Sequence, residues 1–147
     1  MPKTIGIVGQ GFVGTAVRKG MENYYNIETY DLNKECTCRT LEELVEVSSF
    51  VFLCLPTPMM KNGKCDLSIV KQTVKKIDDM GEEKILIIKS TIPPGTTDML
   101  NSESRNVSIV FNPEFLTEAN FLDDFKNQNR IIVGGPRPYS TKVSNLF

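Results

Sequence analysis

Gly9-Gln10-Gly11-Phe12-Val13-Gly14 follows the apolar run Thr4 to Val8, the spacing at which three glycines bring backbone amides against a dinucleotide diphosphate at the mouth of a helix. Gly9 makes the tight turn, Gly11 lets the diphosphate approach, and Gly14 lets the first helix sit close to its strand. Asp31 stands 22 residues after Gly9, at the end of a second apolar run, where a carboxylate receives the adenosine ribose hydroxyls. Its charge opposes a 2'-phosphate and so favours NAD over NADP, a repulsion that Lys34 softens. A solvated strand-end acid is the plainer alternative for Asp31.

Three further clusters carry polar groups suited to a reacting centre. In Leu55-Pro56-Thr57-Pro58 the prolines leave Thr57 little backbone freedom, which holds its hydroxyl against the cofactor ribose or simply makes a rigid surface turn. Lys89-Ser90-Thr91-Ile92-Pro93-Pro94-Gly95-Thr96 offers the Thr91 hydroxyl to the nicotinamide end or to a water beside the reacting carbon, unless it only caps the next turn. Lys89 faces solvent or pairs with an acid, and carries no assigned chemistry. Asn112-Pro113-Glu114-Phe115-Leu116-Thr117-Glu118 holds the two carboxylates expected to meet substrate or cofactor. Pro113 and Phe115 partly dry the surroundings of Glu114, which suits proton transfer. Two exposed loop acids remain the alternative, and Asp123 and Asp124 read as solubilising surface.

Composition excludes several classes. Seventeen basic residues against eighteen acidic give a formal charge of -1, with no polybasic tail to hold nucleic acid or an anionic membrane. The longest apolar run, Phe50 to Leu55, is far short of the ~20 residues a bilayer needs, so a soluble, cytoplasmic protein is expected. The absence of histidine removes the usual neutral-pH acid and base. Among Cys36, Cys38, Cys54 and Cys65 only the first two are close, so no metal site is expected and the thiols read as reduced.

The elements that must position these clusters alternate along the chain. Residues 3 to 8 read as a strand and 11 to 22 as a helix with Val13, Ala16, Val17 and Met21 on one face. Strands follow at 26 to 31, 50 to 55, 84 to 88 and 107 to 110, and Arg130 to Val133 reads as a sixth. Thr40 and Glu43 have capping-box spacing for one intervening helix, and Asp66 can cap another. A weak helix near Thr96 to Ser104 and a start of another from about Tyr139 complete the series. Such apolar strands need cover on both faces, which predicts an α/β, Rossmann-type doubly wound, mostly parallel sheet of about six strands. In that architecture all five clusters reach the carboxyl edge of the sheet, where ligands collect.

Together these segments, with Arg130-Ile131-Ile132-Val133-Gly134-Gly135, resemble the N-terminal NAD-binding domain of the UDP-glucose and GDP-mannose 6-dehydrogenase family. The resemblance implies that Gly9, Gln10, Gly11, Phe12, Val13 and Gly14 cradle the NAD pyrophosphate, with Asp31, Lys34, Leu55, Pro56, Thr57, Thr91 and Glu118 also on the cofactor. It implies that Thr91 positions a catalytic water, that Glu114 assists proton transfer and thioester hydrolysis, and that Phe115, Leu116, Thr117 and Glu118 hold the sugar nucleotide, UDP-glucose being the expected substrate. The family reaction oxidises the sugar C6 hydroxyl to a carboxylate with two equivalents of NAD, through a thioester on a cysteine. None of the four cysteines fills that role by motif. The expectation is therefore one NAD-binding domain over residues 1 to 147, ending within or before its last helix, inactive alone, with the family's central and C-terminal parts absent and any homo-oligomer built by the longer protein. A hydroxyacid or 6-phosphogluconate-type dehydrogenase, a non-catalytic NAD-binding module, and one half of a split enzyme are the alternatives.

Overall fold

A computed structural model describes residues 3–147. Five strands, β1 (Thr4–Val8), β2 (Asn26–Tyr30), β3 (Phe50–Leu53), β4 (Lys84–Ile88) and β5 (Val107–Phe111), form one all-parallel sheet in the order β2-β1-β3-β4-β5. The order reverses direction between β1 and β3, which opens a crevice at their carboxyl ends.

Because side chains alternate across each strand, the sheet is buried twice. On one face Val51, Leu53, Leu86, Ile88 and Ile109 meet α2 (Leu41–Val47), α3 (Ser68–Asp78) and α4 (Thr96–Glu103). On the other, Ile5, Ile7, Phe50, Phe52, Ile87 and Val110 meet α1 (Phe12–Met21), α5 (Phe121–Asn127) and α6 (Tyr139–Ser144). Thr40 Oγ1 accepts from Glu43 N at 3.1 Å, so the capping pair does open α2. Gly20 of α1 lies against the Phe125 ring of α5, where a Cβ would stand 2.0 Å from the ring edge.

The sixth strand does not form. Among the described residues, the segment between α5 and α6 pairs its backbone with a strand only at the antiparallel bridge between Phe111 and Gly134, with amide-to-carbonyl distances of 2.7 and 2.8 Å in the two directions. The Ile131 and Ile132 side chains are exposed and only Val133 packs against the core, so too little of the apolar run is buried to hold it as a strand. Its one deep anchor is the Ile132 carbonyl, which accepts from Asn112 Nδ2 at 2.8 Å.

Candidate functional site

The turn after β1 is fixed by backbone on all sides. Gly9 has φ +95, donates its amide to Tyr30 O at 2.8 Å, and a Cβ on it would lie 2.2 Å from Cys54 O. A Cβ on Gly14 would lie 1.8 Å from Gly9 O, so the first turn of α1 rests directly on the loop. Gly11 differs, because nothing stands within 4 Å of where its Cβ would be. That open space lies in front of the unpaired amides of the ten-residue α1, a geometry suited to a diphosphate.

Asp31 closes the other side of the turn. Its Oδ2 accepts from Gln10 N at 2.7 Å and its Oδ1 from Asn33 N at 2.8 Å, leaving lone pairs on both oxygens for hydroxyl donors. Burial raises its pKa, but the Asn33 and Gln10 amides and the Lys34 ammonium outweigh it and hold the carboxyl below the usual range. Lys34 Nζ donates to Gln10 O at 2.7 Å. Gln10 thus lies beneath the turn and serves as its internal brace, its own Nε2 donating to Gly9 O at 3.0 Å.

A cavity of about 790 Å³ runs from this turn along the sheet edge and collects most of the expected residues: Gly9, Gly11, Phe12, Val13, Gly14, Asp31, Lys34, Leu55, Pro56, Thr57, Thr91, Glu114 and Leu116. Thr57 Oγ1 donates to Thr91 O at 2.7 Å, so this hydroxyl ties two of the loops together and keeps only its acceptor lone pairs for a ligand. Ser90 Oγ adds a second tie, accepting from Leu55 N at 3.0 Å and donating to Leu55 O at 2.7 Å. Phe115, Thr117 and Glu118 lie outside the cavity wall. Phe115 is exposed beneath the Arg130 guanidinium, 5.6 Å from its ring centroid. Thr117 is held through its amide and hydroxyl by Asp124 Oδ2 at 2.8 and 2.6 Å, which gives Asp124 a loop-fixing role that the reading as plain surface overlooked.

At the far end of the cavity stands the group that sequence reasoning left without a role. Lys89 is buried, with its Nζ 2.8 Å from Asn112 Oδ1 and 3.0 Å from Glu114 Oε2. Glu114, its side chain 10% exposed, accepts from Phe115 N at 2.9 Å through Oε1. Its Oε2 is buried and, apart from the ammonium's charge, has no directed hydrogen bond. A buried acceptor without a directed hydrogen bond in a cavity wall is a polar group whose pairing a bound ligand or water could complete. Cys54 also lines the cavity, but burial pushes its thiol up to about 12, with Lys89 drawing it down and Glu114 up by charge, so it stays protonated. Among the described residues no cluster of histidine, cysteine, aspartate or glutamate could hold a metal, and no helix is long and apolar enough to cross a membrane.

A glycine turn, a carboxylate ending β2 and a cavity at the point where strand order reverses define a dinucleotide-binding domain of the doubly wound α/β type. Comparison with known proteins makes this specific. The NAD-binding domain of the UDP-glucose/GDP-mannose dehydrogenase family matches residues 19–146. The chain is 33% identical over 98 residues to UDP-glucose 6-dehydrogenase TuaD of Bacillus subtilis, covering 61% of this chain and 21% of that protein. It is 38% identical over 108 residues to an uncharacterized protein of Methanocaldococcus jannaschii, covering 70% of this chain and 12% of that one. Its fold superposes on 99% of its own length and 44% of a UDP-glucose dehydrogenase from Pyrobaculum islandicum, with TM-score 0.85 and 22% identity. The chain belongs to the UDP-glucose/GDP-mannose dehydrogenase family as its NAD-binding domain, and its cofactor is NAD. It spans about a fifth or less of the curated relatives it matches.

Proposed function

We propose that this chain is the cofactor-holding part of a nucleotide-sugar 6-dehydrogenase that oxidises the C6 hydroxyl of UDP-glucose to a carboxylate. The observation that carries the reading is that Glu114, whose buried Oε2 has no directed hydrogen bond, lines the same cavity as the glycine turn and Asp31. NAD, when bound, supplies the hydride acceptor. Gly11 and the amides of Phe12, Val13 and Gly14 receive the diphosphate, and Asp31 receives the adenosine ribose hydroxyls. Leu55, Pro56 and Thr57 border the cofactor's other half, with Thr57 acting by bracing the Thr91 loop. Glu114 accepts the proton of the sugar hydroxyl as C6 is oxidised, and Thr91 and Glu114 together orient the water that later hydrolyses the thioester. Leu116 in the cavity wall, with Phe115, Thr117 and Glu118 just beyond it, forms the segment that meets the sugar nucleotide. The thiol for that thioester comes from residues other than these four cysteines: Cys54 is protonated, and Cys36, Cys38 and Cys65 do not line the cavity. A cytoplasmic role in making uronate precursors for polysaccharide synthesis follows from the substrate class.

Calorimetry on the chain tests the cofactor half. NAD binds, NADP binds at least roughly tenfold more weakly because the ionised Asp31 faces its 2'-phosphate, and Asp31→Ser narrows that preference while weakening NAD by about tenfold. Equal affinity of the parent chain for both dinucleotides would refute the assignment of Asp31. In the whole dehydrogenase, Glu114→Gln lowers kcat about 100-fold with NAD affinity unchanged, and a variant with parental turnover would remove Glu114 from the chemistry.

A further inference from the structure

The ion pair at the end of the cavity does more than fill a buried space. Lys89 and Asn112 each stand one step beyond the register pair Ile88↔Phe111, so the parallel sheet places them side by side. Their backbones remain on the ladder, Lys89 N donating to Leu53 O and Asn112 N to Ile88 O, both at 3.0 Å. Asn112 Nδ2 is committed to Ile132 O, which turns Oδ1 toward the ammonium at 2.8 Å. Lys89 is therefore located by two strands and an oriented amide before it meets Glu114 at all. The Phe125 ring of α5 lies 6.0 Å from Nζ and covers it on that side.

We infer that Lys89 is a positioning residue for Glu114, holding the carboxylate in one orientation in the cavity wall while leaving Oε2 without a directed hydrogen bond; the inference rests on the reading of Glu114 as the proton-transfer carboxylate. A buried ion pair is a weak source of stability, and apolar side chains could close the same strand ends. What the lysine supplies is a charge that keeps a nine-tenths buried carboxylate in one rotamer without using its acceptor capacity in a directed bond. The Phe115 amide holds Oε1 at 2.9 Å and the ammonium lies 3.0 Å from Oε2, so both carboxylate oxygens are located from within the protein.

The test compares Lys89→Met, Lys89→Gln and Lys89→Arg. Hydrogen exchange is read at the Phe115 amide, whose bond to Oε1 reports the orientation of the carboxylate. In the Met and Gln variants that amide exchanges at least roughly tenfold faster while β1 and β3 amides keep their protection, and the Arg variant restores it. NAD affinity by calorimetry stays within about threefold of the parent in all three. In the whole dehydrogenase the Met and Gln variants lose kcat by about 100-fold with KM for the nucleotide sugar little changed, and Arg recovers roughly a tenth or more. The Gln variant retains a polar partner for Asn112 and keeps the test open if Met disturbs folding. Unchanged Phe115 protection in the Gln variant, or parental kcat in it, overturns the inference. If the whole dehydrogenase shows no sugar-dependent NAD reduction yet Phe115 protection follows Lys89, the positioning geometry stands and the proposed reaction falls.

Discussion

Gly11→Ala folds within about 1 kcal/mol of the parent chain yet loses NAD affinity at least roughly tenfold, whereas Gly14→Ala costs about 3 kcal/mol or more of folding stability. The two positions lie within one turn of α1, and the difference is what each Cβ meets. At Gly14 it would stand 1.8 Å from Gly9 O and 2.9 Å from Gly9 C. The loop cannot retreat, because Gly9 is itself held at φ +95 with Cys54 O directly behind it. Either the helix lifts from β1 or the turn opens, and both uncover the core residues Ala16 and Val17. At Gly11 the backbone has φ -72, open to any residue, and no atom lies within 4 Å of the added methyl. The small folding penalty there is the loss of a good helix-capping residue. The methyl instead occupies the space that the diphosphate needs to reach the α1 amides. Urea unfolding and calorimetry separate the two effects. Parental NAD affinity in Gly11→Ala would show that the diphosphate lies elsewhere.

The glycine turn, Asp31 and the loop residues Thr91 and Glu114 were legible in the sequence because their signals are local: a motif, a spacing, a polar cluster ending an apolar run. The cavity gathers them through the order of parallel strands, which the alternation of elements already implied. Lys89 was not legible in the same way. Its partners are 23 and 25 residues away, just past the end of the next strand, and nothing near it in sequence distinguishes a buried ammonium from a solvated one. A signal existed, though: aligning Leu86-Ile87-Ile88 with Ile109-Val110-Phe111 as neighbouring strands sets Lys89 beside Asn112. The tie from Thr57 Oγ1 to Thr91 O is equally illegible, because it joins loops 34 residues apart in the chain. The false sixth strand at Arg130 to Val133 has the right composition, but strand propensity is satisfied only where a face is buried, and Ile131 and Ile132 remain exposed.

Asp78→Asn destabilises the chain at neutral pH by about 2 kcal/mol and Asp78→Ala by about 3 kcal/mol, although the residue lies at the opposite edge of the sheet from the cavity. Asp78 ends α3 and is 8% exposed. Its Oδ1 accepts from the amides of Arg105, Asn106 and Val107 at 3.0, 2.7 and 3.1 Å, and its backbone carbonyl accepts from Asn106 Nδ2 at 2.9 Å. One carboxylate thus satisfies the start of β5, and alanine leaves three amides without it. Burial raises the Asp78 pKa, but those amides and the Arg105 charge outweigh it, so the folded value lies below 3.8. With the folded value depressed, the stabilisation is full above the unfolded pKa and is lost as pH falls through the folded one. The gap between parent and Asp78→Asn is therefore constant from about pH 5 to 7 and narrows below about pH 4. Urea unfolding at pH 7, 5 and 3 measures it, and a gap unchanged at pH 3 would deny the charged carboxylate its role. The consequence reaches the site, because β5 runs from these amides at Val107 to Phe111, and its register on β4 is what sets Asn112 beside Lys89 and brings Glu114 to the cavity. In Asp78→Ala the start of β5 frays first, and the Asn112 to Glu118 segment loses its anchor before the glycine turn on β1 is disturbed.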